Sequence, residues 1–175
     1  MLVCGIDVGV RMSYIALLDN RRLVYCGKYN EPVKCDAVGI DAPLSLPESG
    51  SLRECERKLL KLGIRLFPSG ADFFRSVVNR GMEIAEEFRK IGAEVFEVYP
   101  YATRRRLGIA PDVKKSTKGG RERIIAELAR FVEGIDNLSN HNEVDAVISA
   151  LTVSLYYEGK ARLLDGRDGA ILVPL

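Results

Sequence analysis

Apolar positions along this chain fall first into short runs and later into helical spacings. Residues 2–8, 12–19 and 22–28 read as three strands in succession. Gly9-Val10-Arg11 forms one short link, and a tight turn centred on Asn20-Arg21 forms the other. Strands joined this way make an antiparallel meander. Residues 35–41 are a fourth strand, and Ala37, Val38 and Ile40 put apolar groups on both of its faces, which suits a central, doubly covered position. Ser51-Leu52-Arg53-Glu54 matches a capping box, so a helix should begin there and stop near Gly63. Phe73, Phe74, Val77, Val78, Ile84, Ala85 and Phe88 recur at helical spacing over 71–91, up to Gly92. Residues 93–98 are a fifth strand, stopped by Pro100. A third helix covers 121–133, with Ile124, Ile125, Leu128 and Phe131 or Val132 turned inward. Asn140 can cap a fourth, carrying Val144, Ile148, Leu151 and Leu155 until Gly159. Residues 163–164 and 170–173, joined by Asp165-Gly166-Arg167-Asp168-Gly169, read as a small terminal hairpin.

A meander followed by strands separated by helices indicates a mixed sheet in an α/β layer fold. The two long connections are 43–51 and 101–120, and long connections in compact domains are often functional. At 175 residues the chain reads as one domain, 1–175. No apolar stretch approaches the ~20 residues of a membrane span, and the N-terminal run has no export pattern. The four cysteines, Cys4, Cys26, Cys35 and Cys55, show no paired zinc spacing and read as reduced thiols, which fits a cytoplasmic protein.

Charge changes the picture in one place. Residues 103–123 hold eight basic side chains (Arg104, Arg105, Arg106, Lys114, Lys115, Lys118, Arg121 and Arg123) against Asp112 and Glu122. That net +6, in a chain of net +2, leaves −4 for the remainder. Such a segment is a candidate phosphate-binding surface, or else a solvated loop and helix face.

Three aspartates are the candidate chemistry. Asp7 ends the apolar run 2–6, Asp41 ends 38–40, and Asp145 stands on the first turns of the last helix. Buried strands rarely end in bare carboxylates without reason. If the three converge, their oxygens suit a hard divalent cation such as Mg²⁺. Two such ions can clamp the attacking and leaving oxygens of a phosphodiester.

The same residues carry a resemblance. Gly5-Ile6-Asp7-Val8-Gly9 followed by a hairpin resembles the opening of RuvC-type Holliday junction resolvases and of related ribosomal-RNA-processing nucleases. The chain more closely resembles a widespread uncharacterised family of predicted nucleases with RNase H-like fold. The matching stretches are Asp41-Ala42-Pro43-Leu44-Ser45-Leu46-Pro47, Arg53-Glu54-Cys55-Glu56-Arg57, Glu97-Val98-Tyr99-Pro100-Tyr101-Ala102, Lys118 before Gly120-Arg121, and His141-Asn142-Glu143-Val144-Asp145-Ala146. They span residue 3 to about 155 and leave the final twenty residues outside. The resemblance implies a five-stranded sheet ordered 3-2-1-4-5, strand 2 antiparallel, with metal-binding acids at Asp7, Asp41 and Asp145. Asn142 stands where many members carry a further acid; its amide oxygen can ligate a metal but brings no charge. Residues 29–34 are too few for the helix usual between the third and fourth strands, so that crossover should be an extended loop.

The other candidates follow from position. Glu97 ends the fifth strand, as a fourth ligand or as the partner of Arg57, Lys118 or Arg121. His141, the only histidine, shares a helical face with Asp145. It either orients water and shuttles a proton or is a surface residue at a helix start. Lys118, before a helix start, can contact the scissile phosphate. Tyr99 and Tyr101 can stack on bases, or can belong to the core or rim. Glu143, three residues after Asn140, is better explained by capping.

The leading function is hydrolysis of nucleic-acid phosphodiesters with two Mg²⁺ or Mn²⁺ ions, the strand held by 103–123. The first alternative is a catalytically weakened nucleic-acid-binding or scaffold protein on the same fold, for which Asn142 argues. The second is an actin-like or sugar-kinase-like phosphotransferase, but the chain is too short for two closing domains and lacks a second glycine-rich phosphate loop. Junction cleavage would also need a symmetric homodimer, because two strands are cut.

Overall fold

Asn20 and Arg21 both take positive φ, 45° and 66°, the combination a two-residue hairpin turn needs to match strand twist. They join β2 (Tyr14–Asp19) to β3 (Arg22–Lys28), and β2 returns antiparallel along β1 (Leu2–Asp7). The computed structural model describes residues 1–175. β4 (Ala37–Asp41) and β5 (Glu94–Glu97) add parallel to β1, giving one mixed sheet of order β3-β2-β1-β4-β5. The β3–β4 crossover holds no helix, as its shortness required.

Five α-helices accompany the sheet: α1 (Glu54–Lys61), α2 (Arg75–Lys90), α3 (Pro100–Leu107), α4 (Lys118–Leu128) and α5 (His141–Tyr157). A terminal hairpin, β6 (Ala161–Gly166) with β7 (Gly169–Pro174), completes the chain. No helix is long and apolar enough to cross a membrane. One face of the sheet packs through Val3, Ala16 and Leu18 against Val144, Ile148 and Leu151 of α5, with Ile124 and Leu128 of α4 beyond. The other packs Cys4, Ile6, Ile15 and Ile40 against Ile84 and Phe88 of α2. A smaller cluster joins Cys55 and Leu59 of α1 to Leu164, Ile171 and Val173 of the hairpin. All four cysteines are free thiols, three of them buried.

Two glycines set how closely α5 approaches. Gly5 and Gly39 are register partners in β1 and β4. A Cβ on Gly39 would stand 2.6 Å from the Ser149 carbonyl oxygen, and one on Gly5 would collide with the backbone at Ala146 and Ala150. Side chains two apart on a strand share a face. Asp7 and Asp41 each follow one of these glycines by two residues and therefore emerge on the α5 side.

Several helix boundaries differ from the sequence reading, each for a local reason. α1 begins at Glu54, not at Ser51, because Arg53 takes the N-cap position and Glu56 accepts from its amide (2.8 Å). The Glu54 amide is met instead by Asp168 of the hairpin turn, 2.8 Å away. Phe73 and Phe74 belong to a 3₁₀ turn, Asp72–Phe74, ahead of α2. The 101–120 connection contains α3, because Pro100 ends one element and opens the next from its first helical position. α4 starts earlier, capped by Thr117 (3.1 Å to the Gly120 amide), and stops at Leu128. Glu133 is drawn out of it onto β3, where it exchanges 2.9 Å backbone bonds with Arg21 and Leu23.

Candidate metal centre

β1 and β4 end side by side, with Asp7 and Asp41 as register partners. α5 crosses them directly on the glycine pair and lays Asp145 over both. One carboxylate oxygen from each of the three lies within 4.8 Å of the others. Asp145 is buried, while Asp7 and Asp41 are half-buried.

Three carboxylates at this spacing oppose one another's ionisation. Burial, then the Asp145 carboxylate, push Asp7 up to about 7 against the pull of Lys115. Asp41 stands well above the usual carboxylate range, through burial first and then Asp145 and Asp7. Burial also raises Asp145, opposed by Lys115, His141 and Arg104.

The cation supplied by the chain is Lys115, whose ammonium donates to Asp145 while its stem stays exposed. Burial works against that charge, but Asp145, Asp41 and Asp7 outweigh it and hold Lys115 above its ordinary value. Lys118, the lysine singled out from sequence, instead points to solvent and pairs weakly with Glu122 at 3.9 Å. The basic segment carried the signal for Lys115, but spacing in a loop does not say which lysine turns inward.

Glu97 is buried and bound by Arg53, which the sequence reading had not paired with it. The Arg53 guanidinium meets the two Glu97 oxygens at 2.5 and 2.7 Å, Glu56 at 3.2 Å and the Ser45 hydroxyl at 2.9 Å. Arg57, Lys118 and Arg121 make no bond to Glu97. The same Glu97 carboxylate accepts the Leu44 amide (2.9 Å) and so fixes the segment just beyond Asp41. Glu56 ties in the next loop through the Ser69 amide and hydroxyl, both at 3.1 Å.

His141 and Asn142 lie half-buried in the first turn of α5, and His141 is close enough for its charge to act on Asp145. Asn140 caps that helix (3.0 Å to the Glu143 amide), and Glu143 reaches back to the Ser139 amide at 2.6 Å. The basic segment divides. Arg104 is buried, holding the Ile109, Ala110 and Val113 carbonyls, which removes it from any phosphate surface. Arg106 donates to Pro174, and Arg123 pairs with Asp112 and Glu127. Arg105, Lys114, Lys118 and Arg121 remain as outward or rim cations.

A family model described as protein of unknown function, DUF429, matches residues 5–168. The chain belongs to this family. The match runs past residue 155 and ends at Asp168, which accepts the first amide of α1, so most of the tail lies inside the family pattern. No curated protein matches the DUF429 chain. Its fold is similar to that of RuvC from Thermus thermophilus in complex with a Holliday junction substrate: TM-score 0.56 at 12% identity, covering 97% of this chain and 99% of that one. A second Thermus thermophilus RuvC structure gives TM-score 0.51 at 13% identity, covering 91% and 96%. The DUF429 chain thus has the RNase H-like mixed sheet.

Proposed function

We propose that this protein is a divalent-metal-dependent nuclease that hydrolyses nucleic-acid phosphodiester bonds. The observation that carries the reading is the convergence of the Asp7, Asp41 and Asp145 oxygens to within 4.8 Å. An all-carboxylate set fits Mg²⁺ or Mn²⁺, and a dication would offset the burial that lifts all three carboxyl groups and the repulsion that adds to it at Asp7 and Asp41. One or two bound ions would supply Lewis acidity toward a phosphoryl oxygen and make water a better nucleophile.

The chain's own residues take the remaining roles. Asp7 and Asp41, side by side on adjacent strands, and Asp145 from α5 would hold the metal. Asn142 offers a neutral oxygen on the same turn. Lys115 pairs with Asp145 in the metal-free chain; released from that carboxylate, its ammonium would hold an oxygen of the scissile phosphate. His141, at the rim, moves a proton to or from the reacting oxygens. Glu97 serves as a positioning residue through Leu44. Arg105, Lys114, Lys118 and Arg121 follow the strand's phosphates, giving salt-dependent binding. RuvC's junction substrate makes branched DNA one of the nucleic acids to try, with homodimerisation its structural requirement.

The Lys115–Asp145 pair and the neutral Asn142 favour a second reading, a nucleic-acid-binding scaffold with weak metal affinity. Calorimetric titration with Mn²⁺, wild type against Asp7→Asn, separates the two. The nuclease reading expects binding weakened at least ~10-fold in the variant. It also expects metal-dependent cleavage of branched, duplex or single-stranded substrates to fall ~100-fold or more. A wild type that takes up no Mn²⁺ at millimolar concentration, yet binds nucleic acid, establishes the scaffold.

A further inference from the structure

Phe67, Phe73 and Phe74 form an aromatic cluster in the α1–α2 connection, and two of them stand in solvent. Phe67 is 64% exposed and Phe73 72%. Helical spacing would have buried Phe73 within a longer α2; the 3₁₀ turn presents it outward instead. The Phe67 and Phe73 rings meet edge to face with centroids 5.6 Å apart, and Phe74 lies 5.9 Å from Phe67.

This exposure is built in. The Ser69 amide and hydroxyl are held by buried Glu56, the Gly70 amide by the Ser51 carbonyl at 2.9 Å, and Arg65's carbonyl by the Tyr99 hydroxyl at 2.9 Å. The loop is therefore fixed on both sides of Phe67. A cavity of about 70 Å³ has Phe67 and Phe74 of the cluster on its wall, together with Leu66, Tyr99 and Pro43, and reaches Asp41. Arg65 and Arg75 flank the cluster, both exposed.

We propose that this cluster is a stacking platform for an unpaired nucleobase, so that the substrate is a nucleic acid with a single-stranded or splayed nucleotide beside the scissile phosphate. The proposal takes its ligand from the nuclease reading. The exposed ring faces of Phe67 and Phe73 offer π surface to a base, and the cavity that Phe67 and Phe74 share with Asp41 links that surface to the acids. Exposed Arg65, with Arg75 beside its partner Asp72 (3.5 Å), supplies positive charge for the adjoining phosphates. Aromatic faces stack on any base, but only on one that has left the duplex.

The test uses a single-stranded DNA dodecamer carrying 2-aminopurine and its blunt duplex, titrated with full-length protein in low salt and EDTA. The single strand should bind at least ~10-fold tighter than the duplex, with its fluorescence quenched. Phe67→Ala/Phe73→Ala should weaken single-strand binding ~10- to 100-fold and leave duplex binding unchanged. Phe67→Leu/Phe73→Leu, which keeps the apolar area, should lose the quench too. Unchanged single-strand affinity in a folded Ala variant overturns the proposal. So does a change in sedimenting mass with oligonucleotide binding intact, which would make the cluster a contact between copies. Mn²⁺ calorimetry on the same variants reports on the acids alone. Phenylalanine-dependent stacking without Mn²⁺ uptake would remove the nuclease reading and leave the platform.

Discussion

Arg53 brings a full positive charge to a place with no solvent exposure, and its Nε has no partner. Its guanidinium is nevertheless held well charged: burial opposes the charge, but the bonds to Glu97 outweigh it. Burial raises Glu97, against the pull of Arg53. A buried ion pair is seldom a net source of stability, but removing one partner strands the other charge at ~3–5 kcal/mol. Arg53→Met should therefore lower the urea-unfolding free energy by about that amount, and Arg53→Met/Glu97→Met should recover part of it. A single variant as stable as wild type would show that water reaches Glu97. This pairing was hidden in the sequence by a two-residue error: a helix capped at Ser51 puts Arg53 on its first turn, whereas Arg53 itself holds the N-cap position and is turned inward. The three aspartates were readable because each sits where an element ends or begins. The choice of Lys115 over Lys118 was not, since both lie in one basic run.

The close approach of α5 to β1 and β4 rests on two hydrogen atoms, those of Gly5 and Gly39. Val153, Val98 and the Ser149 carbonyl surround the space a Gly39 side chain would need. Gly39→Val should cost ~3 kcal/mol by overpacking. It should also lift α5, and with it Asp145, so that Mn²⁺ affinity falls more than stability does. Urea melts and calorimetry on one preparation check this; equal metal affinity in the variant would mean α5 does not set the carboxylate spacing. Strands and long helices were readable at this scale because β1 and β2 are short apolar runs bounded by turn residues, while α2 and α5 carry apolar residues at helical spacing. α3 was not, since Pro100 signals both a stop and a start. Nor was the end of α4, which is set by Glu133 bonding to β3, about a hundred residues earlier in the chain.

For the whole molecule, sheet order followed from family resemblance. The destination of the hairpin did not, because Asp168 meets Glu54 across 114 positions. What the assembled fold creates, and no segment contains, is a crowd of carboxylates at one end of the sheet. Its consequence is a stability that depends jointly on pH and metal. Asp7 titrates near 7 in the folded chain, above its ordinary 3.8, and Asp41 and Asp145 are raised in the same direction. A folded state that keeps protons the unfolded chain releases is stabilised below about pH 4, and that stabilisation is lost as pH rises through 7. In EDTA the melting temperature should therefore fall by several degrees, on the order of 5 °C, between pH 5 and 8. Mg²⁺ or Mn²⁺ should reverse the fall at pH 8, by ~2.7 kcal/mol at a hundredfold excess over Kd, and should do less at pH 5, where a proton on Asp7 competes with the metal. Asp7→Asn removes one of the three charges, so its metal-free melting temperature should vary less with pH and respond less to metal. A wild-type curve that is flat from pH 5 to 8 in EDTA, or equal metal stabilisation at both ends, would mean that Lys115 alone balances the acids.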